Sequence, residues 1–238
     1  MEIAGSNPAG GTSVPPVPLP HTVHTLHLAD VSFPERHPRA GQSGPVNAFL
    51  IRHPDGPILV DTGIGPTHPG IDAMYQPTRY ALLEALASVG VAIADIWLVI
   101  NTHLHFDHCG GNNIFPGTVI FVQGAEFEAA QADRYTIREH FDFPDAQYRL
   151  LRGQAELAPG VSVLPTPGHT HGHQSVVVDS EDGPVIIAGQ AAETAQQFQR
   201  LEAESEVGVA TLRLLHDLMP ARVYFSHDHA VWERSGQE

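Results

Sequence analysis

The chain has 238 residues, 42% of them hydrophobic and only 16% charged, a balance that supports a buried core and argues against a disordered chain. Twelve Lys and Arg against 27 Asp and Glu leave a net charge of −15, which repels nucleic-acid phosphates and anionic membrane surfaces alike. No run approaches the roughly 18 apolar residues of a membrane span, and a lone cysteine, Cys109, excludes an internal disulfide.

Residues 1–20 carry five prolines and three glycines with few large apolar groups, the composition of a flexible or extended arm. They lack the basic start and continuous apolar stretch of a secretory signal, so a cytoplasmic protein is expected. Beyond the arm, Val46–Ile51 and Ile58–Val60 flank the turn cluster His53-Pro54-Asp55-Gly56-Pro57 and read as a hairpin. Arg79–Val89, with Leu82, Leu83, Leu86 and Val89 at helical spacing before Gly90, reads as a helix. Ile96–Ile100 is a continuous apolar run, as in a strand covered on both faces. Thr118–Val122, Val161–Leu164, Ser175–Asp179, Val185–Ile187 and Val223–Phe225 read as further strands. Segments 124–134 and 208–219 read as helices, and 190–206 as a polar helical cap. Strands interleaved with helices predict an α/β fold, and no linker interrupts 21–238, which is expected to be one domain.

Histidine is the anomaly. The 16 histidines outnumber Lys and Arg together, and eight of them fall in three short clusters, each directly after a predicted strand. The first is Asn101-Thr102-His103-Leu104-His105-Phe106-Asp107-His108-Cys109-Gly110-Gly111. His103 and His105 project to one side of an extended backbone, and a turn is needed to bring in Asp107 and His108. The second is Thr166-Pro167-Gly168-His169-Thr170-His171-Gly172-His173, and the third is Ser226-His227-Asp228-His229. Imidazoles with one carboxylate are a ligand set for zinc, and also for iron or manganese. A solvent-exposed His-rich loop is the alternative for any single cluster; three at strand ends favour a metal centre.

The pattern His-x-His-x-Asp-His, the downstream Gly-His-Thr-x-Gly-His and the late Phe-Ser-His-Asp resemble the metallo-β-lactamase fold superfamily, as does Asp61-Thr62-Gly63 after an early strand. In look the chain is most similar to the N-acyl homoserine lactonase-like branch. The resemblance implies a four-layer αββα sandwich with metals at one edge between two sheets. It assigns His103, His105 and His169 to a first metal, Asp107, His108 and His227 to a second, and Asp61 to an orienting position behind them. His173 is then structural, His171 and His229 are weaker candidates, and Cys109 is packing.

Two positions depart from that pattern. Gln190 stands where binuclear members have a bridging aspartate, and Glu193 stands where the lactonase branch has a tyrosine. A neutral amide compensates less charge than a carboxylate, so a second metal is expected to bind more weakly or not at all, unless Glu193 supplies the missing carboxylate. The implied activity is that of a zinc-dependent hydrolase acting on a small-molecule lactone, ester or thioester. Its nucleophile would be metal-bound hydroxide, with Asp107 orienting it and moving its proton. A mononuclear iron oxidoreductase, β-lactam hydrolysis and a catalytically weak binding protein are the competing readings. Tyr135, Phe141, Phe143 and Tyr148 are expected either to form pocket walls with the 62–77 loop or to serve as ordinary helix packing.

Overall fold

The computed structural model describes residues 22–234; the expected arm at 1–20 lies outside the described residues. The strands in chain order are β1 (Thr22–Ser32), β2 (Ser43–Arg52), β3 (Ile58–Val60), β4 (Thr78–Arg79), β5 (Leu98–Ile100), β6 (Val119–Gln123), β7 (Gln147–Leu151), β8 (Ala155–Ala158), β9 (Val161–Pro165), β10 (Gln174–Val178), β11 (Val185–Ile187), β12 (Arg222–Tyr224) and β13 (Trp232–Glu233). The helices are α1 (Pro69–Tyr75), α2 (Leu82–Ser88), α3 (Phe106–Cys109), α4 (Gly124–Ala129), α5 (Arg138–Phe141), α6 (Ala195–Arg200) and α7 (Glu206–Asp217).

The strands form two mixed sheets, ordered β4-β1-β2-β3-β5-β6-β7 and β13-β12-β11-β10-β9-β8. Period-two alternation builds the layers. Phe49, Ile51, Ile58, Val60, Leu98 and Ile100 of the first sheet meet Val161, Val163, Val176, Val178, Val185 and Ile187 of the second in one buried core. The alternate residues Ala48, Leu50, Leu59 and Val99 point the other way and pack with Leu86 of α2. Ile186 and Val223 do the same on the far side, against Phe198 of α6 and Leu212 and Leu215 of α7. The result is the expected αββα sandwich.

Several local expectations need correction. The helix read from Arg79 begins only at Leu82, because Thr78 and Arg79 pair with β1 as a short strand. The segment read as a polar helix over 190–206 is loop up to Thr194, whose side chain caps α6 by accepting from Gln197 N. That helix ends at Leu201 in the left-handed region, and Ser205 caps α7 separately by accepting from Gly208 N, a contribution of about 1 kcal/mol. The short helix is not wholly polar, since Phe198 is fully buried. The helix read over 124–134 stops at Ala129.

Pairing direction positions the site. β3, β5 and β6 run parallel, as do β11 and β12, so the loops after β3, β5, β11 and β12 leave the C-terminal ends of parallel neighbours. The three histidine clusters and Asp61 lie on such loops and on the loop that joins β9 to β10.

Candidate metal centre

Asp61 follows β3 with φ +60°, a left-handed conformation that aspartate tolerates better than most residues. It is fully buried and accepts three hydrogen bonds: from Thr102 N at 2.7 Å, from Thr102 Oγ1 at 2.8 Å and from His108 Nδ1 at 2.8 Å. The carboxylate thus fixes the proton of His108 on Nδ1 and turns Nε2 inward. That Nε2 is buried and has no hydrogen-bond partner. An orphaned imidazole lone pair costs free energy unless something electrophilic meets it.

Two groups of ligand atoms converge here, and within each the atoms lie within 4.8 Å of one another. One group is His103, His105 and His169. His105 Nδ1 sits 3.1 Å from His103 Nε2 and 3.0 Å from His169 Nε2. The other is Asp107, His108 and His227, with Asp107 Oδ2 3.4 Å from His227 Nε2 and 3.8 Å from His108 Nε2. The turn that sequence reasoning required is α3, which carries Asp107 and His108 and is followed by Gly110 in close backbone contact with Gly65. His227 Nδ1 donates to Pro45 O at 2.8 Å, which leaves its Nε2 free to coordinate.

Burial lowers the pKa of His103, His105 and His169, and the neighbouring imidazoles lower those of His103 and His169 further. Burial also takes His227 down to about 4. These rings are neutral at pH 7, the form that binds metal. Burial opposes the charge of Asp107 as well, but His108, His227 and His105 outweigh it and its pKa falls below the usual carboxylate range. His108 is displaced upward: burial works against its protonation, and the Asp107 and Asp61 carboxylates overcome it. Three neutral imidazoles in one group, and in the other the Asp107 carboxylate, the neutral His227 and the unpartnered His108 Nε2, make donor sets that fit a divalent cation.

The surrounding residues hold these groups in position. His173 is buried, with Nε2 accepting from Gln190 N at 3.0 Å and Nδ1 facing Thr166 Oγ1 at 2.8 Å, so it braces the β9–β10 loop against the β11 loop. Gly189, at φ +61°, permits that approach, because a Cβ there would lie 2.7 Å from His173 Nε2. The Gln190 side chain lies against His108. Glu193 is buried and turns its carboxylate toward His37 at 3.5 Å and Arg39 at 3.7 Å; among the described residues it belongs to neither ligand group. Cys109 is buried with its thiol directed at Leu104 O, and burial pushes its pKa up.

Three supporting residues escape sequence reasoning. Glu126, fully buried on α4, accepts from Leu104 N at 2.9 Å, from Thr170 Oγ1 at 2.6 Å and from Tyr135 Oη, joining the first and second histidine clusters. Asn47 Nδ2 donates to Phe225 O and Asp228 O on either side of His227. Arg39 donates to His227 O at 3.1 Å. Nothing local in the sequence marks them, because each acts on residues far along the chain. Of the two aromatic readings, packing holds for three: Phe141 is core beside Leu104 and Val122, and Phe143 and Tyr148 pack on the first sheet, while the Tyr135 ring lies tilted beside His105, at 4.9 Å. A cleft of about 250 Å³ opens beside His169, and none of those four aromatics lines it; Gln190, Glu193, Gln197 and Glu204 do.

Residues 41–235 match the metallo-beta-lactamase superfamily. The chain belongs to that superfamily. It is 34% identical over 204 residues to an N-acyl homoserine lactonase of a Bacillus species, covering 77% of this chain and 81% of that one. It is 28% identical to the N-acyl homoserine lactonase AttM of Rhizobium johnstonii, covering 79% and 83%. Among solved structures, a Bacillus thuringiensis AiiA variant with N-decanoyl-L-homoserine bound at its active site superposes with a TM-score of 0.76 at 26% identity, over 90% of this chain and 95% of that one. An N-acyl homoserine lactone hydrolase with N-hexanoyl-L-homoserine at its catalytic metal centre gives a TM-score of 0.74 at 28% identity, over 88% and 93%. This chain is accordingly a metal-binding hydrolase of the superfamily, and no helix among its described residues is long and apolar enough to cross a membrane.

Proposed function

We propose that this chain is a zinc-dependent lactonase that opens the ring of an N-acyl homoserine lactone or a closely related small lactone. The observation that carries the reading is the pair of converging ligand groups, His103/His105/His169 and Asp107/His108/His227, in a chain 34% identical to an N-acyl homoserine lactonase. Each group would hold one cation. Zinc bound there would lower the pKa of water to about 7 and polarise the lactone carbonyl.

The protein's own side chains do the rest. Asp61 and the Pro45 carbonyl fix the tautomers of His108 and His227, so both present Nε2 without rearrangement. Asp107, ionised at neutral pH, would take a proton from the attacking water at its carboxylate as the water oxygen bonds to the carbonyl carbon, and would pass that proton to the ring oxygen as the ester C–O bond breaks. Gln190 is neutral where a carboxylate would add charge, so the Asp107 group would hold its cation with the Asp107 carboxylate alone in compensation.

The test joins metal content to turnover. Untagged protein is analysed by plasma mass spectrometry, then assayed by pH-stat on acyl homoserine lactones, unsubstituted lactones, aryl esters and thioesters. Expected is zinc as the principal metal, with lactone opening that is lost on chelation and restored by zinc. Iron as the only metal supporting turnover, or no lactone opening by zinc-loaded protein, overturns the proposal.

A further inference from the structure

We propose that His27, Asp30 and His229 form an additional cation site at the surface, which takes a divalent transition-metal ion of zinc-like chemistry and shares no ligand with the two groups above. In a regular strand, residues three apart face opposite sides, so His27 and Asp30 of β1 would diverge. The pairing of β1 with β2 shifts at this point: His27 is opposite Asn47, Ala29 opposite Val46 and Asp30 opposite Pro45. Leu28 is the extra residue of a β-bulge. Asn47 and Pro45 share a face of β2, so the bulge brings His27 and Asp30 onto one face of β1, a re-aiming of side chains that such irregularities commonly serve.

The pair is held in place from outside. Asp30 Oδ2 accepts from Tyr80 Oη at 2.9 Å, while Oδ1 lies 3.0 Å from His27 Nε2. The Tyr80 ring packs 4.8 Å from the His27 ring, and Tyr80 N donates to Leu28 O at the bulge. His229 completes the set from a different part of the chain, its ring 5.1 Å from that of His27 and perpendicular to it. The loop that carries His229 is anchored by Asp228, whose carboxylate accepts from Ala195 N and Ala230 N and whose carbonyl accepts from Asn47 Nδ2. The three ligand atoms lie within 4.8 Å of one another.

Two imidazoles and one carboxylate are a zinc, cobalt or nickel set, and three protein ligands leave positions for water on the open side. His27 Nε2 donates toward Ala29 O and Asp30 Oδ1; with a cation at Nε2 the imidazole proton moves to Nδ1 and the ring stays neutral. The occupied site ties β1 to the loop that bears His227, two residues before His229, and so steadies that loop from its solvent side.

The experiment is equilibrium dialysis of wild type, H27A, H229A and H103A against low-micromolar free zinc, with metal per chain read by plasma mass spectrometry. Wild type is expected to bind one zinc more than H27A and one more than H229A, and H103A is expected to retain that extra zinc. Cobalt replaces zinc in a parallel series, in which the visible absorption of the extra ion disappears in H27A. Should H27A fail to fold, D30N takes its place, with the same loss expected. Equal zinc content in wild type, H27A and H229A overturns the proposal. So does loss in H229A alone, which would trace to a disturbed His227 loop rather than to a shared ligand set.

Discussion

Asp61→Asn separates the orienting role of the buried carboxylate from its shape. Asparagine keeps the side-chain volume and tolerates the left-handed φ of +60°, so the variant is expected to fold. It offers one acceptor oxygen where the carboxylate accepts from Thr102 N, Thr102 Oγ1 and His108 Nδ1. If that oxygen keeps the Thr102 amide, the new NH₂ faces His108 Nδ1, which must then accept, and the imidazole proton moves to Nε2. That is the atom left unpartnered beside Asp107. Loss of an orienting partner behind a ligating histidine costs about 10–100-fold in metal affinity, equivalent to about 1.4–2.7 kcal/mol. Removal of a buried negative charge from beside a dication acts in the same direction. Competition against a chromophoric chelator measures the affinity, and circular dichroism checks the fold. Metal affinity at the Asp107, His108 and His227 group is expected to weaken by that factor, with a smaller effect at His103, His105 and His169. A folded variant that binds metal as tightly as wild type refutes it.

Gln190→Asp places a carboxylate beside His108 and is expected to tighten the metal of the Asp107, His108 and His227 group on the order of tenfold, the scale on which one supporting group acts at such a site; unchanged chelator competition would contradict this. Glu126→Gln leaves one acceptor oxygen for the Leu104 amide, Tyr135 and Thr170, and is expected to cost about 1–3 kcal/mol in urea unfolding, with metal loss at the His169 group. A urea midpoint equal to wild type would remove Glu126 from its bracing role. His140 is 3% exposed, and burial takes its pKa from 6.5 to about 4, so the unfolded chain takes up the proton first. Its contribution to stability is complete above pH 6.5, falls between 6.5 and 4, and amounts to about 3 kcal/mol over that window. His140→Phe should flatten the pH dependence of the unfolding free energy from urea titration by that amount relative to wild type, and parallel profiles would argue against it.

The strands bordering the site are legible in the sequence because they are short, apolar and bounded by turns: the readings over Ile58–Val60 and Val185–Ile187 coincide with β3 and β11. β1 escapes the sequence reading because its alternation is broken by the bulge at Leu28 and diluted by His24 and His27. β7 and β8 escape because edge positions such as Gln147, Arg149 and Glu156 face solvent and carry no hydrophobic period. The candidate ligands stand out because ligand chemistry restricts residue type within a few positions. The residues that brace them do not, since Glu126, Asn47 and Arg39 touch their targets only after the chain has closed on itself. Glu193 illustrates the limit: proximity in sequence to Gln190 suggests a replacement ligand, but Arg39 and His37 draw its carboxylate elsewhere.

Each ligand group takes two members from the connection after β5 in the first sheet (His103 and His105 before α3, Asp107 and His108 on it) and one from a loop of the second, His169 after β9 or His227 after β12. Neither sheet alone presents a complete set. A cation held there acts as a rivet through the two layers, and its capture requires that they have closed in register. A chain whose sheets have slipped by even one strand position would not bring either set together. The same layout separates two evolutionary freedoms. Segments such as 190–205 can be rewritten to reshape the cleft without moving His103, His105, Asp107 or His108, which are anchored on the opposite sheet.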